Sequence, residues 1–201
     1  LPNWPDVNFY ISVDGRKDTH DAIRGKGCHD KIKKHANRPD LKIHVSMVIN
    51  KMNYQDIECF IEEWKDVGVK GCLFQMYTPI KGLKNDDLWP GWKLRDEILD
   101  KLLRLKDEKY GDFIGVPSLV LKLMKSDKCK EVTRNCIFRE VSFCLDPQGQ
   151  LKKPCMMGPQ ADCLRCGCML PFHMRVLEDK WLMARELFTS LRRKIGKKAL
   201  Q

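Results

Sequence analysis

A chain of 201 residues with 43% hydrophobic and 32% charged content carries enough apolar matter to bury a core, so it does not need the disulfide framework that staples short secreted domains. No apolar run approaches the ~20 residues of a membrane span and no charged-then-apolar leader opens the sequence, so a cytoplasmic protein with no membrane partner is expected. The formal net charge of +10 would suit nucleic acid. Lys and Arg are dispersed, however, and the one dense basic run, Leu191 to Lys198, reads as a solvated helix end whose cations suit the dipole, so nucleic acid is not the expected partner. The chain starts at Leu1 rather than Met and is expected to be a piece of a longer protein.

Val7 to Val13 reads as a strand ending at the turn signal Asp14-Gly15. A polar helical stretch is expected from about Thr19 to His35. Lys42 to Ile49 is a second strand, apolar almost throughout, as expected of a strand covered on both faces. Asn53 is placed to cap a helix in which Ile57, Phe60, Ile61 and Trp64 share one face, and Gly68 to stop it. Gly71 to Tyr77 is the third strand. This alternation means βαβ units and a parallel sheet, whose strand carboxyl ends carry Ser12 and Asp14, Asn50 and Asn53, and Gln75, Tyr77 and Thr78. Polar residues there either hold a ligand or cap helices and tie down turns, and the pattern leaves both uses open.

Pro79 to Trp92 is loop-like. A helix with Leu94, Ile98, Leu102 and Leu105 at helical spacing follows, Gly111 to Pro117 breaks it, and Pro117 starts another helix, Ser118 to Lys125. Val141 to Leu145, the turn Asp146 to Gly149, and Gln150 to Cys155 read as a β-hairpin delivering Cys155 at its exit. From Met174 to about Ile195 an amphipathic helix sets Leu177, Trp181, Ala184, Phe188, Leu191 and Ile195 on one stripe, expected to pack on the protein's own core.

Seven of the ten cysteines lie between Cys129 and Cys168, a density more typical of ligands to a metal or an iron-sulfur cluster than of packing residues. Cys136 stands just before the hairpin, Cys155 at its exit, and Cys163-Leu-Arg-Cys166-Gly-Cys168 lets the backbone wrap one inorganic centre, glycine permitting the close approach. Zinc usually takes two separated Cys-x-x-Cys knuckles, and this chain has one; a cluster accepts wider, less regular spacings and is favoured. Cys28, Cys59 and Cys72 read as buried small hydrophobes, and Cys129 and Cys144 as weaker ligand candidates.

Tyr10-Ile-Ser-Val-Asp-Gly15, Thr19 to Gly27, Val45-Ser-Met-Val-Ile-Asn50 with Asn53, and Gly68-Val-Lys-Gly71 together resemble the later strands of a radical S-adenosylmethionine barrel. The region of Cys136, Cys155 and Cys163 to Cys168 resembles the auxiliary-cluster extension, of SPASM or twitch type, that often follows such barrels. The resemblance spans Val7 to Pro171 and rests on order and spacing. Two departures stand out: Gly149 and Cys155 are separated by five residues where the extension usually has four, and the family's defining Cys-x3-Cys-x2-Cys loop is absent from this chain.

The resemblance implies an α/β fold: a partial (β/α) barrel with parallel strands over residues 1–112, then a cysteine-rich α+β auxiliary-cluster domain with a C-terminal helix over 113–201. It would leave an open sheet edge and an uncovered apolar face. It implies one auxiliary four-iron four-sulfur cluster held by Cys136, Cys155, Cys163, Cys166 and Cys168, of which Cys166 and Cys168 are alternatives, and S-adenosylmethionine with a second such cluster in the full-length protein. Ser12 and Asp14 with Arg24, and then Asn50 and Gln75, match positions that contact the cofactor. The implied activity is cleavage of S-adenosylmethionine to a deoxyadenosyl radical that takes hydrogen from a peptide or small-molecule substrate, with a reductant such as flavodoxin or ferredoxin; the catalytic residues are not readable, and this chain alone is expected to be inactive. The rival reading is a zinc-stabilised module that binds nucleic acid or protein.

Overall fold

The computed structural model describes residues 7–83 and 86–198, with the side chains of 194–198 outside the described set. Three strands, β1 (Asn8–Ser12), β2 (Lys42–Ile49) and β3 (Gly71–Met76), form one parallel sheet in the order β1-β2-β3. Residues 113–116 run alongside β3, with a parallel bridge from Cys72 to Ile114 and the Gly115 N–H on the Cys72 carbonyl at 2.8 Å. The far edge of β1 is unpaired among the described residues.

Alternation decides which face is packed. Ile43, Val45, Met47 and Ile49 of β2 and Cys72, Phe74 and Met76 of β3 are buried beneath α3 (Ile57–Val67), whose Ile57, Phe60, Ile61 and Trp64 are fully buried as their spacing predicts, and Gly68 ends the helix in a left-handed conformation. The other face is not covered as the apolar reading of β2 implied. It is mostly polar rather than apolar: Tyr10 and Ser12 are exposed, and His44, Ser46, Val48, Leu73 and Gln75 are half-buried. Tyr10 stacks on His44 at 5.2 Å between ring centroids, and Asn8 Oδ1 meets His44 Nε2 at 3.2 Å.

The polar stretch after β1 is two helices, α1 (Lys17–Arg24) and α2 (Cys28–Ala36), rather than one. The chain breaks at Gly25–Gly27, where Asp21 accepts the N–H groups of Gly27 and His29 at 2.7 and 2.9 Å, a local side-chain bond that outcompetes helix continuation. Helix α4 (Gly91–Leu105) buries Arg95, Ile98, Leu99 and Leu102. Past α5 (Ser118–Leu123) lies a helix the sequence reading missed, α6 (Ser126–Arg134), opened by Asp96 accepting the Ser126 N–H at 2.9 Å. The short α7 (Phe138–Val141) takes Val141, expected to open the first hairpin strand, and the hairpin shrinks to one bridge, Leu145 to Leu151, around a turn tied by the Asp146 carboxylate.

At the C-terminal end the expected single helix is also two, α8 (Leu170–Glu178) and α9 (Lys180–Lys198). Asp179 separates them, its carboxylate accepting the Trp181 and Leu182 N–H groups as an N-cap does. The core is a single cluster running from Ile43 and Trp64 through Leu102 and Val120 to Phe172 and Val176. Among the described residues no helix is long and apolar enough to cross a membrane.

Candidate metal centre and sheet rim

The cysteine loop is fastened to the chain that leaves β3. The Met76 N–H donates to the Gly167 carbonyl at 2.9 Å and the Gly167 N–H to Thr78 Oγ1 at 2.8 Å. Asp162 N–H reaches the Pro79 carbonyl at 2.8 Å, Lys81 N–H the Gln160 carbonyl at 2.7 Å, and Ile80 bridges Ala161 in antiparallel fashion. At position 167 only glycine fits, because a Cβ would overlap the Met76 carbonyl and stand 2.8 Å from the Tyr77 oxygen. The sequence reading assigns this glycine to close approach around an inorganic centre, whereas the close approach found is to the carboxyl end of β3.

The candidate thiols are linked electrostatically, Cys136 to Cys155 and Cys163, and Cys168 to Cys155, Cys136 and Cys166. Burial, and then the thiols of Cys155 and Cys163, push the Cys136 thiol up, against the N–H groups of Arg139 and Phe138, which pull it down. Burial, then Cys155 and Cys136, push Cys168 up to about 11 while the Leu170 N–H opposes. Cys166 is different: burial, Cys168 and Cys129 hold it at about 12, and the nearest cation is Arg95. Among the described residues no three His, Cys, Asp or Glu side chains stand close enough to share a single metal ion. Of the thiols read as buried hydrophobes only Cys72 is; Cys28 is half-buried and Cys59 exposed.

Arg95 is the residue sequence reasoning missed. It is 0% exposed, and among the described residues no carboxylate makes an ion pair with it; Nε donates to the Met124 carbonyl at 3.0 Å, and the terminal nitrogens to the Arg165 and Cys166 carbonyls at 3.4 and 2.9 Å and to Cys129 Sγ at 3.6 Å. Its guanidinium lies over Trp92 at 5.2 Å and Trp89 at 5.9 Å, so aromatic faces and carbonyls take the place of a counter-ion. The signal was available: Arg95 sits at i−4 from Leu99 and i−7 from Leu102 on the apolar stripe of α4.

A cleft of about 600 Å³ opens onto Cys136, with Arg134, Arg139 and Lys153 on its wall against Glu140. At the sheet rim the predicted residues part company. Ser12, Asn50 and Gln75 do lie toward the carboxyl ends of parallel strands. Asp14 and Arg24 are bonded to each other at 2.6 Å, and the second Asp14 oxygen accepts the Val48 N–H at 3.0 Å, so this carboxylate splices β1 to β2. Asn50 closes its own turn by accepting the Met52 N–H. Asn53 makes no helix cap but binds the Val48 carbonyl and the Asn50 N–H. The turn-tying reading therefore holds for these three, while Ser12 is exposed and Gln75 half-buried on the uncovered face. Comparison with known proteins finds no matching family, no matching curated protein and no matching solved structure.

Proposed function

We propose that the chain is the C-terminal portion of a radical S-adenosylmethionine enzyme and that Cys136, Cys155, Cys163 and Cys168 hold an auxiliary four-iron four-sulfur cluster. The observation that carries this reading is that thiols from three separate chain segments come within electrostatic reach, Cys136 of Cys155 and Cys163, and Cys168 of Cys155 and Cys136. The sequence favours a cluster over zinc, because zinc usually takes two separated Cys-x-x-Cys knuckles and this chain has one, whereas a cluster accepts wider, less regular spacings. N–H groups aimed at Cys136 and Cys168 suit sulfur that carries negative charge. Cys166, whose thiol feels Cys129 and Arg95 as well as Cys168, is left out of the set.

Bound there, a cluster with every iron protein-ligated supplies one-electron transfer. The parallel strands, the unpaired β1 edge and the uncovered polar face support an incomplete (β/α) barrel. With Asp14, Arg24 and Asn50 engaged in the fold, Ser12 and Gln75 are the residues left to contact S-adenosylmethionine. The basic cleft at Cys136 offers an approach for an acidic reductant such as flavodoxin or ferredoxin.

Anaerobic reconstitution with iron and sulfide tests this. One four-iron cluster per chain is expected, sharply reduced by Cys155→Ser or Cys163→Ser and retained by Cys166→Ser. No deoxyadenosine should form, since the Cys-x3-Cys-x2-Cys loop is absent. Stoichiometric zinc without sulfide would overturn the cluster in favour of a zinc-stabilised binding module.

A further inference from the structure

Helix α9 docks by one face and turns a chemically different one to solvent. Its inward contacts are few and partly polar: Leu182 packs on the core, the Glu186 carboxylate accepts the Ser118 and Leu119 N–H groups at 3.1 and 2.8 Å, and Arg193 reaches Glu186 and Asp107. Residues 182, 186 and 193 fix the rotation of the helix about its axis. At 3.6 residues per turn they send Ala184, Leu187, Phe188 and Leu191 to the opposite side. The stripe expected to pack on the core is therefore outside it over its described residues: Leu177 is 52%, Trp181 83%, Phe188 58% and Leu191 56% exposed, with Leu187 beside them at 65%, while the Ile195 side chain lies outside the described residues. Contiguous apolar surface of this kind marks an interaction site rather than a solvated helix back.

We propose that this face of α9 is an interfacial anchor that lies on an anionic lipid surface. Charge selects the occupant. Between Lys180 and Lys198 the helix carries seven Lys and Arg against Glu186 alone. Lys180, Arg185 and Arg192 are exposed beside the stripe, Arg192 resting 4.8 Å from the Phe188 ring centroid. A second copy of the same helix would oppose cation to cation. Nucleic acid would satisfy the cations but leave Trp181, Leu187 and Leu191 against a phosphate backbone that offers them nothing. An anionic bilayer surface satisfies both: the apolar stripe enters the headgroup–acyl boundary, tryptophan favours that depth, and the flanking cations meet the lipid phosphates. The helix, about 28 Å long at 1.5 Å per residue, lies along the surface rather than through it.

The test is co-sedimentation of the full chain with vesicles of phosphatidylcholine alone or with one-third phosphatidylglycerol, at low and high salt. Binding to the anionic vesicles should exceed binding to neutral ones by about tenfold or more and fall with salt, with a blue shift of fluorescence that Trp181→Phe removes. Phe188→Ser combined with Leu191→Ser should abolish binding, and Arg185→Gln combined with Arg192→Gln should weaken it about tenfold; all four positions are exposed, so a matched thermal melt keeps the comparison fair. Equal binding to both vesicle types, or none, would overturn the proposal. So would a wild-type dimer in light scattering that Leu191→Ser dissolves, which would assign the stripe to a second copy.

Discussion

Gly167→Ala tests whether the cysteine loop is held by backbone contact with β3 or merely lies near it. The added methyl cannot be absorbed by a rotamer, since the groups it meets are the Met76 and Tyr77 carbonyls. The loop must lift. Two hydrogen bonds go with it, Met76 N–H to Gly167 O at 2.9 Å and Gly167 N–H to Thr78 Oγ1 at 2.8 Å, together worth about 2 kcal/mol. Leaving Met76 N–H unpaired at a buried strand end adds about 1–2 kcal/mol more. A loss of roughly 3–4 kcal/mol in urea unfolding is expected, and in metal-free protein Cys168, 5% exposed in the folded chain, should react with a thiol reagent several times faster. Thr78→Val removes one acceptor without the clash and should cost only about 1 kcal/mol. If Gly167→Ala unfolds within about 0.5 kcal/mol of the parent and Cys168 stays protected, the loop is not anchored as described.

Arg95→Met removes the donor to three carbonyls and should cost about 3 kcal/mol or more, since each buried acceptor left bare costs roughly 1–3 kcal/mol; Arg95→Lys should recover little, because an ammonium cannot reach the Met124, Arg165 and Cys166 carbonyls together. Asp14→Ala should lower stability by about 2–3 kcal/mol through loss of the Val48 N–H bond and the Arg24 pair, with urea midpoints as the readout. Burial, and then the charge of His29, push the His20 imidazole below its ordinary 6.5. The unfolded chain therefore takes up a proton below pH 6.5 that the folded chain refuses, so this contribution to stability is complete above that pH and is lost as pH falls. The melting temperature should drop between pH 7.5 and 5.5, and less so in His20→Gln.

The strands and the face of α3 could be read from the sequence because their signals are local: alternation in Lys42 to Ile49, and helical spacing of Ile57, Phe60, Ile61 and Trp64. Failures came where a side chain took over backbone hydrogen bonding. Asp21 breaks one helix into α1 and α2, Asp179 breaks another into α8 and α9, and Asp96 starts α6; each is a single carboxylate taking backbone N–H groups, invisible to a periodicity count. The stripe on α9 was correctly found but wrongly assigned to the core, because amphipathicity shows that a face exists and not which side docks. Docking is settled by Glu186, 67 residues along the chain from the Leu119 N–H it accepts. Among the candidate ligands, spacing alone could not choose between Cys166 and Cys168. What spacing could not show is Arg95, which bonds the Cys166 carbonyl from α4.

The uncovered face of the sheet carries the remaining argument. Parallel sheets are ordinarily packed on both sides, and their strands read as continuous apolar runs. Here β2 is apolar throughout on the helix side, while its other side and those of β1 and β3 present Tyr10, Ser12, His44, Ser46 and Gln75 beside Val48 and Leu73. Helices could not cover these groups without stranding their polar atoms. A face of this composition is built to meet water or a polar ligand, and the cysteine loop stands at its carboxyl end through Gly167 and Thr78. Ligands of parallel α/β sheets gather at that end of the strands. Ser12 and Gln75 lie toward that end of β1 and β3, and a double replacement by alanine should leave the urea midpoint nearly unchanged, since neither side chain is buried. A loss above about 1 kcal/mol would show that they serve the fold instead.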